Sequence, residues 1–333
     1  MATPVTKELW RRFCAYEPAD ESTKPILGVE EIRRLPASEL VAYNDKRIDY
    51  INQERVFPTR DIRAVLALSR RFLRASRVEK FVARRGISVS GDPRIGKSTA
   101  VQAAGKRLEA QLRRDNRRET DSSYIPVVYT SVAAATTPTK LWLLLADFVG
   151  AGEMRGRSTD ERLMNLAHLL RDLGTRFVII DEVQRLRTDE SDGSAVADAL
   201  KTFAEYLDAT MIYAGISLST APLFTGTTGA QWRARTVPIF MNRYDIKKDA
   251  DIQEWRQLIG AFERLLPLPL HEEGMLSKNY EYLLHRTGGS IAFLGDLLTD
   301  AATDAIDSGE EAITLELLDQ VPVSTEDRRV DIN

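Results

Sequence analysis

Residues 91–98 read Gly-Asp-Pro-Arg-Ile-Gly-Lys-Ser and fit the pattern G-x-x-x-x-G-K-[ST] in full. A run that predicts a strand, Gly86–Ser90, precedes the segment, and a helical pattern begins near Lys97. In this setting the backbone amides of the loop and the N-terminus of the helix surround phosphate groups with positive potential. Lys97 is therefore expected to reach the β- and γ-phosphates of ATP, and the Ser98 hydroxyl to bind Mg²⁺.

The residues that we expect to bind the nucleotide lie in this loop and its helix start. They are Gly91, Asp92, Pro93, Arg94, Ile95, Gly96, Lys97, Ser98 and Thr99. Pro93 and Arg94 stand where smaller residues are usual. Arg94 either adds a phosphate contact or points into solvent, and the second is the simpler expectation.

Two acids follow a continuous apolar run farther along the chain. Phe177–Ile180 predicts a strand covered on both faces, and Asp181 and Glu182 come directly after it. Functional groups gather at the carboxyl ends of the strands in a parallel sheet. Asp181 is expected to hold Mg²⁺ through its water shell, and Glu182 to polarise an attacking water. A double acid favours hydrolysis over transfer to a small acceptor.

Phosphoryl transfer also needs a cation for the charge of the transition state. Arg233 and Arg235 precede the last predicted strand, where an arginine acting on a neighbouring subunit would lie; two surface arginines beside a strand are an equal alternative. Ser217 follows another predicted strand and is a candidate sensor of the γ-phosphate, or a plain turn serine.

The elements that must position these residues alternate between strands and helices. The other strands are expected at Ile125–Tyr129, Met211–Ala214 and Val237–Phe240, and helices at Asp61–Arg77, Lys97–Leu112, Glu161–Leu173 and around Val196–Leu207. Such alternation predicts an α/β fold, a parallel sheet sandwiched by helices. Beyond residue 248 only helical patterns follow, which predicts a small C-terminal helical lid.

Composition gives the expected organisation of the chain. With 333 residues, of which 43% are hydrophobic, the chain can bury one large core or two unequal ones. We expect an N-terminal extension over residues 1–40, a nucleotide-binding domain over 41–248, and the lid and tail over 249–333. The single cysteine, Cys14, suits a reducing cytosol, and neither a signal peptide nor a membrane span is evident. A cytoplasmic protein is expected.

The formal net charge is only −3, so nucleic-acid contacts would need local basic patches. Most of the arginine runs, at residues 70–85 and 113–118, are typical of solvated helix faces. Lys140 and the loop Arg155-Gly156-Arg157-Ser158-Thr159 are more suggestive, because glycine beside arginine and hydroxyl groups allows close approach to phosphates. This loop either follows a DNA backbone without reading bases or is a flexible surface loop.

The order of these parts resembles the TniB/TnsC family of AAA+ transposition regulators, from about Leu35 to Gly309. The two nucleotide motifs belong to a very large superfamily; the flanking segments are more particular. Those segments are Arg47-Ile48-Asp49-Tyr50-Ile51, Val56-Phe57-Pro58-Thr59, Gly215-Ile216, Gln231-Trp232-Arg233-Ala234-Arg235, Thr287-Gly288-Gly289 and Ala301–Gly309.

The resemblance implies an AAA+ P-loop ATPase that uses ATP and Mg²⁺ and forms a homo-oligomer or filament around double-stranded DNA. It also implies a TniA/TnsB-type transposase and a TniQ-type targeting protein as partners, sometimes in a CRISPR-associated transposon. By the same resemblance Pro58 and Thr59 would border the adenine, and Lys140 with Arg157–Thr159 would face DNA. Arg94 and the absence of an arginine after Gly288–Gly289 are departures, and they leave the role of Arg286 open.

Two other functions remain open at this stage. One is a nucleotide-gated scaffold, in which the polymer itself carries the function and ATP hydrolysis is incidental. The other is an AAA+ ATPase outside transposition, such as a helicase loader or a secretion-associated ATPase.

Overall fold

The computed structural model describes residues 3–76, 78, 84–134, 136–152, 156, 158–186, 193–221, 224 and 226–323. The chain divides into two compact units. We call the first, Met1–Tyr16 with Pro58–Met241, the sheet unit. The second, Glu17–Phe57 with Asn242–Asn333, is the helical unit.

The sheet unit is built on one parallel sheet. Its strands are β1 Gly86–Ser90, β2 Val127–Ser131, β3 Phe177–Asp181, β4 Thr210–Gly215 and β5 Thr236–Phe240, in the order β2-β3-β4-β1-β5. Every pair of neighbouring strands is parallel, which confirms the predicted sheet. The second strand begins two residues later than expected, because Pro126 has no N–H to give to a ladder.

The helices in the described part of the chain are α1 Lys7–Ala15, α2 Val29–Arg34, α3 Ala37–Ile51, α4 Arg60–Ala75, α5 Lys97–Asp115, α6 Pro138–Val149, α7 Thr159–Asp172, α8 Gly193–Tyr206, α9 Gly226–Arg235, α10 Asp249–Glu263, α11 Met275–Lys278, α12 Tyr280–Thr287, α13 Ile291–Ser308 and α14 Leu315–Gln320. None of them is long and apolar enough to cross a membrane. The helix predicted at Asp61–Arg77 is α4; its last predicted residue, Arg77, lies outside the described residues.

The sheet forms the centre of the larger hydrophobic core. The side chains of β3 from Phe177 to Ile180 are fully buried, as a strand with both faces covered requires. Helices α4 and α5 pack against each other and against the sheet, and α6 packs on β2. These contacts fix the ends of β1 and β3, from which the predicted site residues project.

Helix α1 packs into this core, although an N-terminal extension was expected over residues 1–40. Helix α1 is capped by Thr6, whose hydroxyl accepts from the Leu9 amide at 3.2 Å. Trp10 is 1% exposed, and a Cβ at Gly105 would lie 2.8 Å from its ring. Trp10 anchors the helix, and Phe13 and Cys14, three and four residues later on the same face, pack against the same core.

The helical unit combines two segments that lie far apart in the sequence, Glu17–Phe57 and Asn242–Asn333. Arg47 on α3 is fully buried and forms two hydrogen bonds with the Glu311 carboxylate, at 2.5 and 3.0 Å. Residues 41–57 therefore group with the C-terminal helices, whereas the sequence placed them in the nucleotide-binding domain. The pairing joins residues 264 positions apart, which no local pattern reveals.

Three details of the helical unit concern residues between 286 and 290. Ser290 caps α13 by accepting from the Phe293 amide. A Cβ at Gly289 would lie 2.2 Å from the Tyr244 carbonyl oxygen, so a larger residue does not fit. The Arg286 guanidinium donates to the carbonyls of Leu318 and Val321, which gives this residue a structural role at the end of α14.

Candidate active site

The loop Gly91–Ser98 connects β1 to α5 and packs tightly against its surroundings. A Cβ at Gly91 would lie 2.3 Å from the Ile95 side chain and 2.5 Å from the Met241 carbonyl oxygen. Gly96 has a φ of 89°, in the left-handed region that favours glycine. Lack of space thus requires glycine at position 91, and the left-handed backbone conformation favours glycine at position 96.

Arg94 also lies in the left-handed region, with a φ of 56°, and its side chain is exposed. A non-glycine residue in this conformation costs on the order of 1 kcal/mol. The atypical residue of the loop therefore carries local strain.

Lys97 lies at the start of α5 and is 5% exposed. Its Nζ donates to the Asp92 carbonyl at 2.5 Å. Burial lowers the pKa of Lys97, while Glu182, Asp181 and Asp92 act in the opposite direction. The lysine is thus a buried cation between the loop and the two acids after β3.

The first amides of α5 lack the usual side-chain partner, because the N-cap is Gly96 and makes no side-chain hydrogen bond. Such a helix N-terminus, with its positive end of the helix dipole, is a ready anion site. Together with Lys97 it fits a polyphosphate.

Asp181 ends β3 and is 2% exposed. Its carboxylate accepts hydrogen bonds from the Tyr129 hydroxyl at 2.9 Å and from the Glu182 amide at 2.9 Å, and the Ser98 hydroxyl lies close enough to lower its pKa. Burial raises the pKa of Asp181, and these three donors partly offset the rise. The predicted metal-binding serine and aspartate are therefore neighbours in the structure.

Glu182 follows with a φ of 56°, a second non-glycine residue in the left-handed region of this site. Its carboxylate oxygen Oε2 accepts from Gln184 Nε2 at 2.8 Å and pairs with Arg185 Nε at 2.9 Å. The side chain is 21% exposed, so the Glu182 carboxylate is within reach of solvent. Strained backbone of this kind is concentrated at functional sites.

The chemistry of these groups fits a magnesium nucleotide. The Ser98 hydroxyl and the Asp181 carboxylate supply the oxygen ligands that Mg²⁺ prefers, and Mg²⁺ is commonly held by one or two protein ligands plus water and phosphate. Within the described ranges no group of three or more His, Cys, Asp or Glu side chains could hold a metal. These described residues therefore do not form a metal site made of protein ligands alone.

The remaining residues predicted to bind the nucleotide lie in three other places in the sheet unit. Thr99 is exposed in the first turn of α5. Thr59 is buried and caps α4, accepting from the Ile62 amide at 3.3 Å, and Pro58 before it is exposed. Ser217 is exposed in the turn after β4, with a φ of 48°.

The two predicted arginines lie near the amino end of β5, whereas the phosphate loop lies at the carboxyl end of β1. Arg235 directly precedes β5, whose first residue pairs with Gly86, whereas the phosphate loop follows Ser90. The amino and carboxyl ends of β1 are roughly 13 Å apart. Arg233 donates to the Phe224 carbonyl, and Arg235 pairs with Glu205 at 2.5 Å. The structure does not bring either arginine to the phosphate loop of its own chain.

The candidate DNA contacts are only partly described. Lys140 is exposed in the first turn of α6. Ser158 caps α7 and Thr159 begins it, so the expected loop is also a helix start. A Cβ at Gly156 would lie 2.8 Å from Arg162. Arg155 and Arg157 lie outside the described residues.

Comparison with protein families gives the assignment. The family model described as bacterial TniB protein matches residues 47–245, more than half of the chain. The chain belongs to the TniB family. The resemblance to TniB/TnsC proteins is thereby confirmed, and a search of curated proteins gave no match.

Solved structures agree with the AAA+ fold expected of a TniB protein. The Aeropyrum pernix ORC2 protein in its ADPNP-ADP complexes is similar with a TM-score of 0.59 and 16% identity, over 82% of this chain and 70% of that one. The Aeropyrum pernix ORC1 protein in complex with DNA gives 0.54 and 18%, over 81% and 65%. CDC6P from Pyrobaculum aerophilum gives 0.53 and 15%, over 80% and 68%. The fold is that of an AAA+ P-loop NTPase.

Three residues of this TniB-family site were missed by sequence reasoning. Tyr129 binds Asp181, Trp10 stacks on Tyr129 with ring centroids 5.7 Å apart, and Gln184 binds Glu182. Gln184 could have been found, because it is a polar residue in the turn directly after the two acids. The roles of Tyr129 and Trp10 depend on contacts between distant parts of the chain.

Proposed function

We propose that the chain is a Mg²⁺-dependent ATPase that assembles on duplex DNA and recruits or activates a transposase. The observation that carries the proposal is the meeting of Lys97 and Ser98 with Asp181 and Glu182 in a chain of the TniB family. The first two residues bind phosphate and metal, and the second two are the acids that hydrolysis needs.

Each of these residues has a distinct part in the proposed reaction. Lys97 and the α5 amides bind the phosphates, and Ser98 and Asp181 hold Mg²⁺, which neutralises developing phosphate charge when bound. Glu182 keeps one oxygen on Gln184 and Arg185 and offers the other to the attacking water. Orientation of that water by a fixed carboxylate supplies the catalysis.

The cation for the transition state comes from a neighbouring subunit in this proposal. Arg233 and Arg235 are far from the phosphate loop of their own chain, which supports a role across a subunit interface. Arg235 is 39% exposed and its pair with Glu205 is at the surface, so little energy is needed to release it. Hydrolysis then depends on assembly.

DNA binding is supported by family membership and by a fold shared with an ORC1 protein whose structure is a complex with DNA. Lys140, Ser158 and Thr159 are exposed or at a helix start, where they can contact backbone phosphates. Arg155 and Arg157 of the same segment add positive charge. Contacts of this kind are independent of sequence.

The experiment is duplex-DNA binding by fluorescence anisotropy, with and without a non-hydrolysable ATP analogue, over a salt series. We expect binding that requires the analogue, is cooperative and weakens steeply with salt. Lys97→Ala is the control that should lose the nucleotide dependence. Absence of binding in both conditions would contradict the proposal and favour an AAA+ protein that acts on other proteins.

The transposase step needs its own measurement. The chain with the analogue and DNA should retain a co-expressed TniA/TnsB-type transposase, with or without a TniQ-type protein, on immobilised duplex. Glu182→Gln separates the ATPase cycle from a nucleotide-gated scaffold. A scaffold keeps transposase stimulation in this variant, whereas a regulator that depends on hydrolysis loses turnover of the assembly.

A further inference from the structure

The side-chain amide of Gln184 lies between the proposed catalytic acid and the end of β4. Its Oε1 accepts from the Ile216 amide at 3.1 Å, and its Nε2 donates to Glu182 Oε2 at 2.8 Å. Because a backbone N–H can only donate, the oxygen must face Ile216 and the nitrogen must face Glu182. The orientation of the amide is thereby fixed by its two partners.

Gly215 leaves space for this amide. A Cβ at Gly215 would lie 2.2 Å from Gln184 Oε1 and 2.7 Å from the Leu218 side chain. The backbone of Gly215 is not in the left-handed region, so its conformation alone does not require glycine. The residue is small because the glutamine side chain approaches the strand end.

The turn that Gln184 contacts is tied to the strand that carries the phosphate loop. The Leu218 amide donates to the Ser90 hydroxyl at 3.0 Å, and Ser90 is the last residue of β1. Hydrogen bonds and the short backbone segment 216–218 therefore connect Glu182, through Gln184, to the start of the phosphate loop.

We propose that Gln184 is a positioning residue for hydrolysis, which fixes the Glu182 carboxylate relative to the β4 turn and the phosphate loop. The inference rests on the proposed ATPase function. Arg185 binds the same carboxylate oxygen, but its side chain is 52% exposed and its attraction is screened by water. The neutral amide, held at both ends, is the stronger geometric constraint.

The test compares two substitutions in the full-length chain with DNA present. Gln184→Glu keeps the size and the acceptor for Ile216 but cannot donate to Glu182. Gln184→His keeps one donor and one acceptor. We expect kcat to fall at least about tenfold in Gln184→Glu and several-fold less in Gln184→His, because a small misplacement of a catalytic group is costly. The Kd for a fluorescent ATP analogue should change less than about twofold.

Gly215→Ala supplies an independent route to the same defect, because its new methyl group displaces the amide. The double variant Gly215→Ala/Gln184→Glu should be no slower than the slower single variant, since both break one connection. Gln111→Met, which removes a half-buried glutamine hydrogen-bonded to Arg70, and Gly295→Ala, whose Cβ would meet nothing closer than 3.6 Å, are the matched controls.

Each outcome has a defined meaning. Gln184→Glu within about twofold of wild-type kcat, or an equal loss in kcat and nucleotide affinity, overturns the positioning role. Equal losses in Gln184→Glu and Gln184→His overturn it as well. If the wild-type chain hydrolyses ATP no faster than Glu182→Gln, the proposed ATPase function fails first and the inference fails with it.

Discussion

The Tyr129 hydroxyl donates a 2.9 Å hydrogen bond to the Asp181 carboxylate, in a region where both side chains are nearly inaccessible to solvent. Burial raises the pKa of Tyr129, so the hydroxyl keeps its proton and remains a donor. On its other side this hydroxyl accepts from Gln102 of α5 at 2.8 Å. Asp181, the proposed metal-binding acid, is thus supported by hydrogen bonds that connect it to β2 and α5.

Tyr129→Phe should weaken Mg²⁺ binding about tenfold while leaving metal-free nucleotide binding unchanged. The variant removes one donor that orients Asp181, and loss of such an outer contact typically costs about 10-fold or more in metal affinity. The measurement is a Mg²⁺ titration of fluorescent ATP binding, with an EDTA reference. Tyr213→Phe, a buried tyrosine on β4, is the control. An unchanged Mg²⁺ midpoint in Tyr129→Phe would show that Asp181 needs no such support.

Trp10→Ala should destabilise the sheet unit by about 3–5 kcal/mol, the usual cost of removing a large buried aromatic side chain. Trp10 contacts Tyr129 and donates to Glu109 at 3.4 Å, so the variant should also weaken Mg²⁺ binding. Urea denaturation measures the first effect. Arg12→Ala, exposed on the same helix, should stay within about 0.5 kcal/mol. Equal stability of both variants would mean that α1 is not part of the core.

The central sheet and the phosphate loop were predictable from sequence because their signals are local. The motif from Gly91 to Ser98 and the run Phe177–Glu182 each lie within a few residues, and both lie where expected. The AAA+ assignment and the parallel sheet follow from them together with the alternation of strands and helices.

The remaining parts were not predictable because they depend on distant contacts. Trp10 is buried in the core, where its ring stacks on Tyr129, and Arg47 finds its partner near the other end of the chain. The left-handed backbone at Arg94 and Glu182 is set by tertiary packing, since neither residue type favours it. A sequence pattern contains no record of these constraints.

Arg47→Met should cost about 3–5 kcal/mol in the helical unit, because it leaves the buried Glu311 carboxylate without its partner. The double variant Arg47→Met/Glu311→Leu should recover much of that loss, since well-packed apolar residues can replace a buried ion pair. Chemical denaturation of the full chain gives both values. Arg33→Ala, which breaks an exposed pair with Glu30, is the control and should cost little. A double variant no more stable than Arg47→Met contradicts this account.

Glu109 should make the stability of the sheet unit depend on pH. Burial raises the pKa of this carboxyl above its ordinary 4.5, with Arg113 and Trp10 opposing the shift. The folded protein therefore binds the proton more tightly than the unfolded chain. The stabilisation is fully present below the ordinary pKa and is lost as pH rises through the folded-state pKa.

Glu109→Gln tests this linkage because the amide cannot ionise. The difference in Tm, variant minus wild type, should become more positive as the pH rises above the ordinary pKa of 4.5. Any constant penalty for the lost pair with Arg113 cancels in this comparison. A difference that is flat, or that falls with rising pH, contradicts the assigned direction of the pKa shift.

Mixing two inactive variants should restore ATP hydrolysis if Arg235 acts across a subunit interface. Arg235→Ala keeps its own Lys97 and Glu182, whereas Glu182→Gln keeps Arg235. In a head-to-tail assembly, an interface is competent when an Arg235→Ala subunit supplies the site and a Glu182→Gln subunit supplies the arginine. An equal mixture therefore has about one quarter competent interfaces. The same experiment with Arg233→Ala shows which of the two arginines acts. Each variant alone must retain nucleotide and DNA binding. If neither mixture is more active than its components, both arginines belong to the surface of their own chain. There Glu205 binds Arg235 and the Phe224 carbonyl binds Arg233.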